Sequence, residues 1–396
     1  MTKKKKIDLV ILAGGKGRRI KKYLKNSPKP MLKVNEKYFL NYVLKQACKY
    51  NFNNCFILTR YKKKIIFNQY DKKNFNFVNI HCLSEKKEMG TGGALFFLKN
   101  KIQDFVLING DTLFDINFED LIRSKKKNSI GSIALTKNHK QQSEKLNNIS
   151  ISNNLIFTQK KSKFMNGGIY FFSKKILKII PNKKISLENE ILPELIKKKK
   201  INGRLFNNFF LDIGSEKTLI SAPKKIIKNF KKPAVFLDRD GVLNYDYGYV
   251  YKFKDFKFRE GVLKGLQYLT KKNFNIFIVT NQAGIAKKKF TLKQFKDLHI
   301  KIKNFMIKKN IYISDLEYSP YHTESKIKKY RKKSATRKPG NLMIKKIMNN
   351  WDVNIKKSFM IGDKKTDFQA AKKSNLKFHY AEKNFYKKII KIINNY

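Results

Sequence analysis

Residues 234–244 read AVFLDRDGVLN. An apolar run ends in Asp238 and Asp240, with Arg239 between them and Gly241 behind. Two carboxylates at a strand tip repel each other unless a cation sits close. One such carboxylate can attack phosphorus and split a hydrolysis into two easier steps. A second, two residues on, can give and take protons. Thr280 closes a later apolar run in VTNQAGI, and GDKKTD brings Asp363 and Asp367. Thr280 and Lys338 are suited to hold phosphoryl oxygens as charge develops. The metal set expected here is Asp238, Asp240 and Asp363 around Mg²⁺, with Asp367 in support.

A second set of residues lies far upstream. LAGGKGRR (12–19) follows the first apolar run directly. Its Leu12, Ala13, Gly14, Gly15 and Gly17 let backbone N–H groups approach a phosphate. Arg18, Arg19 and then Lys29 add cations. The segment has neither the Gly-Lys-Ser/Thr of a P-loop nor the dinucleotide fingerprint. GTGGA (90–94) is a further glycine cluster at a helix start. Its Gly90 and Thr91 are suited to a base or sugar held close to backbone. Asp111 in INGDTLFD and Asp212 in FLDIG each end an apolar run, where a metal ligand would stand at a sheet edge. Two such aspartates beside a basic glycine-rich cradle point to a Mg²⁺–phosphate site.

The elements that must position these residues alternate. Strands are expected at 8–13, 54–59, 77–82, 104–109, 131–136, 168–173 and 209–213, with amphipathic segments at 39–50, 93–100, 117–126 and 188–199. SAPKKIIKNFKKP (221–233) reads as a helix tail or linker. The alternation then restarts, with strands at 234–238, 275–280, 315–318 and 357–361. Helices are expected at 261–271, 291–309, 342–350 and 365–373. This pattern predicts two α/β domains, 1–222 and 232–396, each a mostly parallel sheet between helices. A length of 396 residues and 41% hydrophobic content fit two globular cores.

The formal net charge is +60. It comes from lysine spread along the whole chain, among many Asn, Ile, Phe and Tyr, all types with A/T-rich codons. A nucleic-acid protein concentrates charge on one face and favours Arg. The expectation is therefore a solvated lysine surface that attracts phosphorylated substrates, with no specific nucleic acid and no membrane as partner. Cys48, Cys55 and Cys82 have no metal-ligand spacing and fit a reducing, cytoplasmic location. The first apolar run is too short for a membrane span. Oligomeric state is left open.

LAGGKGRR, PKPM, GTGGA, NGDTLFDI, NGGIYFF and FLDIG stand in the order seen in sugar-phosphate nucleotidyltransferases, so the first domain resembles that family. The spacing is most similar to its D-glycero-α-D-manno-heptose 1-phosphate guanylyltransferase branch. The resemblance implies a Rossmann-like domain in which a sugar 1-phosphate attacks the α-phosphorus of an NTP, here GTP. It implies that Arg19 holds the outgoing phosphates and Lys29 the reacting ones. Asp111 and Asp212 would ligate Mg²⁺, Asn166, Gly167 and Glu188 would line the sugar pocket, and Lys160 would contact the sugar phosphate. The family usually has Thr at the position of Arg18 and often Glu-Lys at Gln159-Lys160.

DRDG, the strand-end Thr and GDxxxD together resemble the haloacid dehalogenase-like phosphohydrolases. PAVFLDRDGVLN, YGYV, VTNQAGIA, RKP and GDKKTDFQAA follow the heptose 1,7-bisphosphate 7-phosphatases among them. The resemblance implies Asp238 as nucleophile and Asp240 as proton-transfer group. It implies Asn281 in substrate binding and Arg337 on the second phosphate. That family usually carries a structural zinc, and the corresponding positions here are Ser319, Tyr321, Ser334 and Thr336. None is a good zinc ligand, and the expectation is no zinc. A hexose 1-phosphate transferase paired with a histidinol-phosphate-like phosphatase remains open, as does a nucleic-acid-binding protein with degenerate domains.

Overall fold

The computed structural model describes residues 6–24, 26–137, 149–158 and 162–395. It contains two compact units, one drawn from the segment up to Cys48 with Phe52–Lys225, the other from Ile226–Tyr396.

The first unit is built on a large mixed sheet. Its parallel centre runs Asp104–Asn109, Ile7–Leu12, Asn54–Thr59, Val78–Ser84. Phe164–Phe172 lies antiparallel to both Asp104–Asn109 and Gly131–Lys137. The central strands read as continuous apolar runs because helices bury both faces. The strand expected at 168–173 begins at Phe164, and its register against Gly131–Lys137 shifts between Asn166 and Tyr170. The polar Asn166 and two glycines hid that stretch from an apolar-run reading. The short strands Ile149–Ser152, Leu155–Thr158 and Ile201–Leu205 also join the sheet without a strong apolar signal.

Asp8 shows how the parallel centre is fastened. It is buried, and its carboxylate accepts from Asn54 N and Asn53 Nδ2 at 3.1 Å and from Gln103 N at 2.9 Å. It thus ties the starts of three neighbouring strands. Asp8→Ala removes the acceptor and leaves two backbone N–H groups unmet, so a loss of about 3 kcal/mol is expected in a denaturant titration of the first unit.

The second unit holds a sheet in the order Asp315–Ser319, Asn275–Asn281, Ala234–Leu237, Phe359–Gly362, Lys377–Tyr380, parallel throughout. Its helices Val262–Lys271, Leu292–Lys308, Leu342–Asn350 and Lys365–Lys372 fall within the expected spans. Two elements near the C-terminus, the strand Lys377–Tyr380 and the helix Phe385–Asn394, escaped the periodicity reading. The strand is a four-residue edge with two charged or polar positions, too short to register. The segment 221–233 is mostly the second half of the helix Glu216–Phe230. Among the described residues, no helix is long and apolar enough to cross a membrane.

Candidate active sites

In the first unit, Leu12 ends its strand and the chain turns through Ala13–Gly17 into a 3-10 turn at Arg18–Tyr23. Gly17 adopts φ +60°, which L side chains rarely take. A β-carbon on Gly15 would meet nothing within 4 Å, so this stretch of backbone is open to a ligand. A cavity of about 680 Å³ lies here. Leu12, Ala13, Gly14, Gly15, Gly17, Lys29, Gly90, Thr91, Asp111 and Glu188 all line it. Arg18 lines it too, whereas Arg19, Asp212, Asn166 and Gly167 do not.

The glycines of GTGGA also meet a packing need that the sequence did not show. A β-carbon on Gly90 would overlap the carbonyl of Ile185, and one on Gly93 the carbonyl of Lys183. Gly92 N and Gly93 N donate to Ile185 O at 3.0 and 3.2 Å. The backbone they admit is the chain's own segment 183–187. Its close approach delivers Glu188 to the cavity wall. There the buried Glu188 carboxylate accepts from Thr91 Oγ1, and from Asn109 Nδ2 and Tyr170 OH at 3.5 Å. Asn166 backs this cluster, donating to Tyr170 OH at 2.8 Å. Gly167 is required by packing, since a β-carbon would strike the Phe114 ring.

Asp111 and Asp212 meet because Thr112–Phe114 pairs antiparallel with Phe210–Asp212. Ile213 N donates to Asp111 O at 3.1 Å. The Lys29 ammonium bonds the Asp111 carboxylate and lies 3.8 Å from that of Asp212. A β-carbon on Gly214 would sit 3.1 Å from Lys29 Nζ and 3.2 Å from Arg19 Nη2, which places both cations beside Asp212. Two carboxylates thus converge on one cationic point. Oxygen donors of this kind fit Mg²⁺. Lys160 lies outside the described residues. Sequence reading missed Glu88, whose carboxylate reaches Lys16, Arg60 and Lys184 at 3.4, 3.4 and 3.3 Å. Its signal was available: it is one of few acids in a lysine-rich chain.

In the second unit, Asp238 follows the central strand and its N–H bonds Ile361 O at 3.1 Å. The buried Lys338 ammonium lies 2.9 Å from Asp238 Oδ1, 2.6 Å from Asp367 Oδ1 and 2.9 Å from Val279 O. Asn281 holds the Lys338 backbone from both sides, accepting from its N–H at 3.0 Å and donating to its carbonyl at 3.1 Å. Burial pushes the Asp238 carboxyl up to about 6, against the pull of Lys338. Asp363 N and Lys364 N both donate to Asp367 Oδ2, at 3.2 and 3.0 Å.

Among the described residues, Asp238, Asp363 and Asp367 offer carboxylate oxygens within 4.8 Å of one another. Asp363 Oδ1 is buried with no hydrogen-bond partner. A trio of hard oxygen ligands with one oxygen unmet fits Mg²⁺. The Asp240 carboxylate is not in that trio. It is taken up by the Arg239 guanidinium, by Asn244 Nδ2 at 3.0 Å and by Gln282 Nε2 at 2.9 Å. Gly241, at φ +82°, is demanded by closeness, because a β-carbon would overlap the Asp363 carboxylate. A cavity of about 490 Å³ opens here, lined by Asp238, Asp240, Asn281, Arg337, Lys338 and, unforeseen, Lys364. Thr280 is buried beneath it, accepting from Gln282 Nε2 at 2.9 Å.

At three of the four positions where the resemblance implied zinc, Ser319, Ser334 and Thr336, the side chains are hydroxyls that lie close together. Thr336 Oγ1 lies 3.0 Å from Ser319 Oγ and 2.8 Å from Ser334 Oγ. Ser325 Oγ donates to Ala286 O at 3.0 Å and Arg331 Nε to Ser325 O at 2.7 Å. This donor set does not fit zinc. Exhaustive zinc chelation followed by assay in Mg²⁺ is therefore expected to leave both the hydrolytic rate and the thermal midpoint unchanged.

The Nucleotidyl transferase family matches residues 9–229 and the Polynucleotide kinase 3 phosphatase family residues 238–391. D-glycero-beta-D-manno-heptose-1,7-bisphosphate 7-phosphatase of Escherichia coli K12 is 35% identical over 144 residues, covering 36% of this chain and 75% of that protein. Bifunctional protein GlmU of Methanococcus aeolicus is 32% identical over 238 residues, covering 57% of this chain and 56% of GlmU. The crystal structure of HddC from Yersinia pseudotuberculosis is 26% identical, covers 56% of this chain and 99% of its own, and has a TM-score of 0.48.

Proposed function

From a chain that belongs to the Nucleotidyl transferase family in its first unit and to the heptose bisphosphate 7-phosphatase family in its second, we propose that it makes a nucleotide-activated heptose in two steps. The chain carries both kinds of enzyme, a nucleotidyltransferase and a phosphatase. In our reading the second unit removes the 7-phosphate of D-glycero-D-manno-heptose 1,7-bisphosphate. The first unit then joins the remaining heptose 1-phosphate to GMP from GTP and releases pyrophosphate. The observation that carries this is the pairing, in one chain, of a 7-phosphatase relative with a transferase unit whose substrate would be the phosphatase's product. The choice of GTP rests on motif spacing alone. The setting we assign is cytoplasmic.

In the phosphatase, an Asp238 oxygen attacks the 7-phosphorus, and the bond from phosphorus to the sugar oxygen breaks. Asp240 gives that oxygen a proton. Asp240 later takes a proton from the water that attacks the aspartyl-phosphate, and phosphate leaves. Its surroundings hold Asp240 below the usual carboxylate range despite burial, chiefly through Arg239. An anionic phosphate arriving beside it raises its proton affinity, so the proton is taken up with the substrate. Lys338 stabilises the charge that develops on the phosphoryl oxygens, and Arg337, at the cavity edge, takes the second phosphate. Asp238, Asp363 and Asp367 would hold Mg²⁺, which would neutralise part of the clustered negative charge.

In the transferase, the sugar 1-phosphate oxygen attacks the α-phosphorus of the NTP in line with the departing pyrophosphate. The work is positioning and charge neutralisation. Lys29 guides the reacting phosphates, Arg19 the outgoing ones, and the 13–17 backbone cradles them. Glu188 faces the sugar. Asp111 and Asp212 would hold Mg²⁺.

One reaction tests the whole reading. Protein, Mg²⁺, pyrophosphatase, heptose 1,7-bisphosphate and an equal mixture of four NTPs are combined, and products are read by mass spectrometry. GDP-heptose is expected. Heptose 1-phosphate alone would overturn the transferase assignment, and untouched bisphosphate would overturn the phosphatase assignment.

A further inference from the structure

Lysine supplies nearly every cation of this chain, and arginine occurs at only nine positions. Arg239 is among the largest fully buried side chains of the protein, with 1% of its surface exposed. Burying a guanidinium is costly unless its donors are matched, and Nη1 is buried without a hydrogen-bond partner while the other two nitrogens are engaged. Here Arg239 Nε lies 3.1 Å from both oxygens of Asp240, and Nη2 lies 2.8 Å from Oδ1. Nη2 also donates to the Val250 carbonyl at 3.0 Å. Val250 ends the segment that carries Gly248 and Tyr249, both of which line the phosphatase cavity. Asn244 and Gln282 complete the shell around Asp240 from two other directions.

We propose that Arg239 is a positioning residue of the phosphatase. Its planar fork fixes the plane of the Asp240 carboxylate for proton transfer and ties that carboxylate to the cavity wall through the Val250 carbonyl. The inference rests on Asp240 being the proton-transfer group. A lysine at this position keeps the charge but offers a point donor on a flexible stem, so it cannot grip two oxygens and a carbonyl in one plane. The identity of residue 239 then matters to chemistry in a way that charge alone does not.

The test exploits the leaving group. An alkoxide needs a proton as it departs, whereas p-nitrophenolate leaves without one. The ratio kcat/KM reports the path up to phosphorylation of Asp238 and excludes the later hydrolysis. It is measured for the heptose bisphosphate and for p-nitrophenyl phosphate, with wild type, Arg239→Lys and Asp240→Asn. Arg239→Lys is expected to lower kcat/KM about 100-fold on the sugar phosphate and less than about 5-fold on the nitrophenyl ester. Equal losses on the two substrates, or none, overturn the proposal, because a purely structural defect removes active molecules without regard to the leaving group. If Asp240→Asn shows the selective loss and Arg239→Lys does not, only the role of Arg239 falls. If Asp240→Asn itself shows no selectivity, the assignment of Asp240 falls and this proposal with it. Should the thermal melt show Arg239→Lys unfolded, Arg239→Gln, also lacking the fork, is read the same way.

Discussion

Asp238→Asn is expected to lower phosphate release from the bisphosphate by about 10⁴-fold or more, while the same preparation still joins a nucleotide to a supplied sugar 1-phosphate. An amide cannot form the acyl phosphate, yet it keeps the volume of the carboxyl and can still accept from Lys338. The fold around it should therefore hold. Asp111→Asn is expected to do the reverse, ending nucleotidyl transfer and sparing hydrolysis. With bisphosphate as starting material, the first variant accumulates nothing and the second accumulates the monophosphate. Phosphate release and mass spectrometry read both. Retention of a tenth of wild-type hydrolysis by Asp238→Asn would remove it from the role of nucleophile.

Lys338→Met is expected to be the most damaging single change to the second unit. Its ammonium is buried, 2.9 Å from Asp238 and 2.6 Å from Asp367. Without it two buried carboxylates face each other with no ammonium between them. Removing one partner of a buried ionic cluster costs about 3–5 kcal/mol, and for a unit of this size that lowers the midpoint by roughly 10 °C. The pH dependence has a definite sign. Asp238 already has a folded-state pKa raised to about 6, so its burial weighs against folding above that value and less below it. Losing Lys338 raises that pKa further. The stability gap between variant and wild type should thus be wider at neutral pH, narrow as pH falls towards about 6 and stay level below it. Added Mg²⁺ should recover part of the loss, since it supplies positive charge to the same oxygens. A thermal-shift series over pH and Mg²⁺ measures all three. A gap independent of pH would show that the lysine acts through packing and not through charge.

Much of both sites was legible as strand ends. An apolar run that stops at an aspartate puts a carboxylate at the edge of a parallel sheet, and this holds for Asp111, Asp238 and Asp363 whatever else the chain does. Gly17 and Gly241 stand shortly after strand ends, and the structure gives each a positive φ and a crowded surrounding. What was illegible is which neighbour fills the tight place. The glycines of GTGGA look like room for a ligand, and Gly90 lines the cavity, but they also admit the backbone of 183–187. The same blindness affected Asp240 and Asp367. Spacing marks both as acids near the reaction, yet only the packed side chains show Asp240 engaged by Arg239 and Asp367 beside Asp238 and Asp363.

The sequence by itself therefore determined the α/β class, the main strands and helices, the order of the two enzyme units and the residue types at each strand tip. These follow from local hydrophobic periodicity and turn chemistry, which act over a few neighbouring residues. Tertiary structure alone decided the pairings: Lys29 with Asp111, Lys338 with Asp238 and Asp367, Glu188 with Thr91, and the hydroxyls of Ser319, Ser334 and Thr336 with one another. Nearly all these partners are separated by many residues along the chain. Their meeting depends on how sheets and loops bury their faces together, and no local pattern encodes a contact between distant segments.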